Sequence, residues 1–128
     1  MDLLLDTHVL LWWLTDDHRL QERQRRLLDD SGNRLLVSAV STFEIATKVR
    51  IGKLPSASVF ERELERICVD YELDELQLSI DHAVLAGRLS VDHRDPFDRL
   101  LAAQSIVERI SLVTDDSAFK MFPVEVAW

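Results

Sequence analysis

Several carboxylates stand where the pattern of this chain changes from one element to the next. Asp6 follows the apolar run Leu3-Leu4-Leu5, and Glu44 lies six residues after Ser38, which closes Leu35-Leu36-Val37. Asp95 and Asp98 bracket Pro96 and Phe97 in HRDPFDR (93–99), and Asp115 and Asp116 follow SLVT (111–114). A set rich in oxygen, free of sulfur and poor in histidine suits a hard divalent cation, Mg²⁺ or Mn²⁺ in particular. Zinc is disfavoured, because one Cys and four scattered His give neither CxxC nor HExxH spacing. A hard cation held by carboxylates suits chemistry at phosphoryl oxygen, where it neutralises phosphate charge and helps make a nucleophile of water. The residue types therefore point to metal-dependent phosphodiester hydrolysis.

Taken singly, each acid has a plainer use. Asp95 before Pro96 is a helix N-cap followed by proline in the first turn, where no N–H is needed. Asp98 adds a negative charge that suits the positive first turn, although one cap already suffices. Asp6 can cap a helix that begins at Thr7, and one of Asp115 and Asp116 can cap a short helix over SAFKMF. Ser41 and Glu44 have capping-box spacing, but the strand ends at Ser38, which makes Ser38 the better cap. Capping does not explain the coincidence. Four distant segments each bring a carboxylate to one edge, where such groups repel and raise one another's pKa. Only Lys48, Arg94 and Arg99 lie near enough in sequence to compensate.

The elements that must position these acids alternate. Apolar strands are expected at 3–5, 35–37 and 111–114, an extended piece at 76–78 and a last strand at 124–126. Helical segments are expected at 7–14, 19–28, 39–50, 56–71, 81–89, 96–109 and 116–121. Strands apolar on both faces that alternate with helices indicate a three-layer α/β/α sandwich around a mainly parallel sheet of four to five strands. Ligands of such sheets sit beyond the carboxyl ends of the strands. All of the acids map to that edge.

The bulk numbers fit this picture. The 128 residues read as one domain, 47% apolar and 30% charged with three Gly and three Pro, so the chain is globular. Its longest apolar run, Val9 to Leu14, has six residues, far short of a membrane span. The opening MDLLLD has no basic leader, and the single Cys68 has no disulfide partner and reads as a small core residue. A cytoplasmic protein is expected. Fifteen Lys and Arg against twenty-three Asp and Glu give a net charge of −8, which repels nucleic acid at long range. Nucleic-acid work then needs a local basic surface, bound cations, or both.

The ordered blocks DTHVLLW (6–12), VSAVSTFEIATK (37–48), HRDPFDRLLAAQ (93–104) and LVTDDSAF (112–119) resemble the PIN-domain ribonucleases. Within them the chain is most similar to the VapC-type toxins of bacterial toxin–antitoxin modules, over essentially its whole length of 1–128. The resemblance implies that Asp6, Glu44, Asp98 and Asp116 hold the divalent metal and act in catalysis. Asp116 fits better than Asp115, lying two residues after Thr114 and three before Phe119. Asp95 is kept as a cap. Thr7, Ser38 and Thr114 are expected to orient carboxylates or water, and Arg99 to support the motif.

The resemblance further implies an RNA substrate, a homodimer and a small antitoxin that docks near the site. For RNA contacts, Lys48, Arg50 and Lys53 form a basic group beyond Glu44, and Arg19, Arg23, Arg25 and Arg26 are expected along one helix. Val9 to Leu14, apolar on every side with Trp12 and Trp13, reads either as packing beneath the sheet or as a protein interface. Three rivals stand beside the toxin reading. One is a PIN-type housekeeping nuclease and another is an acidic interaction module. The third is an aspartyl-phosphate enzyme, weakened because His8 stands where such enzymes place a second Asp.

Overall fold

The computed structural model describes residues 1–128, except for the side chain of Pro55. Four strands, β1 (Asp2–Leu5), β2 (Arg34–Ser38), β3 (Asp74–Leu76) and β4 (Ser111–Val113), form one sheet in the order β3-β2-β1-β4. Every pairing is parallel, with Leu3 opposite Leu35 and Ser111, and Leu5 opposite Val113. Successive strand residues face opposite sides. Leu3, Leu5, Leu35, Val37 and Val113 accordingly point into one core, and Leu4, Leu36 and Leu112 into the other.

Six α-helices supply the covering layers: α1 (Thr7–Leu14), α2 (Glu22–Asp29), α3 (Ala39–Arg50), α4 (Ser58–Asp70), α5 (Ile80–Arg88) and α6 (Pro96–Glu108). The first core takes Val9 and Leu10 from α1, Leu28 from α2 and Leu64 from α4. The second takes Leu101 and Ala102 from α6, with Phe119 and Phe122 from the segment after β4. Helix α3 serves both, through Ile45 and Val40. The expected three-layer sandwich is present, with four strands.

Several boundaries differ from expectation for local reasons. Residues 124–126 form no strand; a single parallel bridge joins Val126 to Leu112. The extended piece at 76–78 is instead β3 at 74–76, an edge strand whose Asp74 and Glu75 are exposed. The segment at 117–121 is a 3₁₀ turn rather than an α-helix. Helix α2 starts at Glu22 and not at Arg19, because Asp17 accepts bonds from both the backbone and the guanidinium of Arg19 in a turn of its own. Arg19 is therefore not on the helix with Arg23, Arg25 and Arg26. Cys68 is half-buried against the first core.

Run 9–14 packs inward more than outward: Val9 and Leu10 are fully buried and Leu11 to Leu14 partly so. The Trp13 indole donates to Asp29 at 3.1 Å and meets Tyr71 edge-on, while Trp12 meets Trp128. No helix is long and apolar enough to cross a membrane among the described residues.

Candidate active site

After β1 the chain builds β2 and β3 on one side, then crosses to place β4 on the other side of β1. This leaves a crevice at the carboxyl ends of β1 and β4, where parallel sheets bind ligands. Asp6 leaves β1 there. It occupies the N-cap position of α1 without capping it; its carboxylate accepts instead from the Thr114 hydroxyl at the end of β4, at 2.7 Å. Asp6 and Glu44 are each 5% exposed, far below what an unpaired surface carboxylate shows.

Ser38 ends β2 and caps α3, accepting from the Val40 N–H at 2.9 Å. Its hydroxyl donates to Gln104 of α6 and not to an acid, so Ser38 orients an element and no carboxylate. One and a half turns into α3, Glu44 faces inward. The Thr7 hydroxyl donates to its Oε1 at 2.7 Å and shares a hydrogen bond with the Ser41 hydroxyl at 2.9 Å. The ammonium of Lys48, one turn on, donates to the other oxygen.

Asp95 caps α6, accepting from the Phe97 N–H at 2.9 Å, with Pro96 in the first turn. Asp98 is thereby free of capping duty, and its Oδ2 meets His93 Nε2 at 2.8 Å. Arg99 neutralises none of the acids. Its guanidinium donates to the carbonyls of Ala86, Leu89, Val91 and His93, clamping the loop between α5 and α6. Asp116 is exposed; its backbone N–H donates to Thr114 and its carboxylate caps the turn at Ala118. Asp6, Asp115 and Asp116 line one cleft with His8, Val9 and Trp12.

The acids sense one another. Burial first, then the charge of Glu44, raises the Asp6 carboxyl above its ordinary value, against the Thr114 hydrogen bond. Asp98 is raised to about 6, first by burial and then by the charges of Asp95, Asp6 and Asp116, against the His93 bond. Among the described residues no three His, Cys, Asp or Glu side chains already form a set able to hold a metal ion. Each of these acids is instead turned to a protein partner: Asp6 to Thr114, Glu44 to Lys48, Asp98 to His93. The donor chemistry still fits a hard cation: carboxylate oxygens, adjacent hydroxyls and no thiol. Two acids held above their usual range first by burial and then by neighbouring charge are the groups such a cation would relieve.

Of the basic candidates, Lys48 is spent on Glu44, while Arg50 and Lys53 are exposed at the far end of α3. Arg19, Arg25 and Arg26 are paired with Asp17, Asp16 and Glu22. His93, Ser41 and Gln104 are partners that the sequence reading left unassigned. For His93 the signal was present, as the first residue of HRDPFDR.

A parallel α/β sandwich with carboxylates at the carboxyl ends of β1 and β4 defines the class of fold. The PIN domain family matches residues 3–124, and the chain belongs to that family of nuclease domains. Among solved structures it is similar to VapBC2 from Rickettsia felis bound to a DNA fragment from its promoter. That match has 18% identity and a TM-score of 0.67, covering 98% of this chain and 96% of that one. VapBC-1 from nontypeable Haemophilus influenzae matches at 16% identity and a TM-score of 0.58, covering 94% and 92%. No curated protein matches the chain.

Proposed function

We propose that this PIN domain is a divalent-metal-dependent endoribonuclease and the toxin of a toxin–antitoxin pair, held inactive by a small antitoxin and working as a homodimer in the cytoplasm. The observation that carries the nuclease reading is that Asp6 and Asp116 line one cleft, with Asp6 within reach of the charge of Glu44 and Asp98 within reach of those of Asp6 and Asp116. The likeness of the fold to two VapBC toxin–antitoxin structures supports the toxin role.

Asp6, Glu44 and Asp98 would hold Mg²⁺ or Mn²⁺, with Asp116 completing a second or water-mediated site. Such an ion supplies charge neutralisation at the phosphate and a more acidic water. The chain's own residues do the rest. Thr114 fixes the Asp6 carboxylate and Thr7 that of Glu44, while Glu44 would release Lys48 and Asp98 would release His93 to take up the ion. Asp116, exposed at the rim, orients the attacking water, whose proton passes to a rim carboxylate. Attack in line at phosphorus then forms a new P–O bond and breaks one P–O bond to ribose, whose oxygen leaves with a proton from solvent water.

The test uses the purified chain freed of any bound partner, incubated with RNA and with small phosphate esters, in Mg²⁺, Mn²⁺ or EDTA. RNA cleavage that needs the metal and vanishes in Asp6→Asn and Asp98→Asn is the expected result. Ester hydrolysis through a trapped aspartyl-phosphate, or no turnover of any substrate, overturns the proposal. A short partner that co-purifies and suppresses cleavage supports the toxin role; a chain that cleaves and has no such partner is a housekeeping nuclease.

A further inference from the structure

Two aromatic rings stand beside the acids, and no step above uses them. Phe43 leaves 65% of its surface exposed on α3, one residue before Glu44. Phe97, half-buried in the first turn of α6, is one residue before Asp98. Their ring centroids lie 5.8 Å apart with planes tilted by 55°, so α3 and α6 jointly present a small aromatic surface. Helix geometry explains why the ring stays out: consecutive residues are about 100° apart, so as Glu44 turns in toward Thr7, Phe43 turns to solvent.

We infer that Phe43 and Phe97 form a stacking site for one nucleobase of single-stranded RNA, the base flanking the phosphodiester that the acids address. The inference rests on the ribonuclease reading above. Charge favours this occupant. The crevice and the chain as a whole are acidic, at −8 net, and Lys48 is tied to Glu44, so phosphates gain little by direct attraction. The uncharged face of a base meets no such repulsion, and an aromatic ring stacks on any of the four bases. Area points the same way. The exposed part of Phe43 is on the order of 130 Å², taking about 200 Å² for the whole side chain. A stable protein partner needs roughly 800 Å² on each side, whereas a single base needs only a ring's face.

The test measures cleavage of a short single-stranded RNA in which each base in turn is removed from its ribose. One abasic position next to the cleaved bond is expected to raise KM about tenfold with kcat little changed. Phe43→Ala should raise KM by a similar factor and make the enzyme indifferent to that abasic position; Phe43→Trp should restore both. Independently of turnover, 2-aminopurine at that position, in EDTA and low salt, should be quenched by the wild type and by Phe43→Trp but not by Phe43→Ala. Penalties that simply add, equal quenching by all three proteins, or a Phe43→Ala chain that elutes as a smaller species overturn the stacking site. The last outcome would give the rings to a second copy of the chain. If the wild type cleaves and Phe43→Ala matches it, only the stacking site fails. If the wild type cleaves no RNA with any metal, the ribonuclease reading fails and takes the stacking site with it.

Discussion

Asp98 titrates near 3.8 when exposed to water and at about 6 in the fold. Because the folded value is the higher one, the contribution of this group to folding is complete below the unfolded pKa. It is lost as pH rises through about 6. At neutral pH the metal-free crevice thus carries an ionised acid that works against its own fold. Asp98→Asn removes that charge. In EDTA at about pH 7.5 it should melt above the wild type, by about 4 °C for each kcal/mol relieved in a domain of this size. The gap should close toward about pH 4.5, where the wild-type carboxyl is protonated. Adding Mg²⁺ should invert the order, since the ion stabilises only the chain that can bind it. Calorimetry of both proteins across pH, with and without the metal, checks all three signs. A variant less stable than wild type in EDTA at neutral pH would mean that the His93 bond outweighs the burial and repulsion.

At the scale of elements, the loop between α5 and α6 has no regular structure, yet it carries His93 and Asp95. Arg99 holds it through three of its backbone carbonyls and that of Ala86 in α5, at 2.6–2.9 Å. A guanidinium fork reaches several acceptors at once; an ammonium is a single point. Arg99→Lys is expected to cost about 2 kcal/mol in urea unfolding, because hydrogen bonds to charged groups are worth roughly 1.5–3 kcal/mol each and some are re-formed. Faster amide exchange should be confined to 86–93. Ser38→Ala tests a second joint: losing the cap of α3 costs about 1 kcal/mol, and the buried Gln104 oxygen also loses its donor. These joints mark the limit of legibility. The start of α6 was readable because the Asp95-Pro96 signal is local. The three buried strands were readable because their residues are apolar on both faces. Edge strand β3 was misplaced because Asp74 and Glu75 carry no apolar pattern; register with Val37 and its neighbours fixes it. The acids could be assigned to one edge from strand ends alone. Their partners could not, because Thr114 to Asp6 and Ser38 to Gln104 join residues that meet only once the crossover has closed.

For the whole molecule, the question is how an acidic protein holds a polyanion. The basic residues at 19–26 are largely matched within the fold, Arg19 by Asp17, Arg25 by Asp16 and Arg26 by Glu22. Lys48 is matched by Glu44. On the segments that carry the acids this leaves Arg94 beside His93, Lys120 after Asp116, and Arg50 and Lys53 at and just beyond the far end of α3, all exposed and without an ion pair among the described residues. Each phosphate neutralised on a single strand contributes about −0.7 to the slope of log affinity against log salt. Contacts from Arg50 and Lys53 therefore contribute about −1.4 to the slope for RNA binding at fixed Mg²⁺. The double variant Arg50→Ala, Lys53→Ala should make that slope shallower by about 1.4 while leaving kcat unchanged, since neither residue touches the acids. A slope steeper than about −3 would require five or more phosphate contacts, more than these four cations supply. It would also mean that the arginines at 19–26 release their acids to take up RNA. Anisotropy of a labelled oligonucleotide titrated with salt, on wild type and double variant, decides between the two.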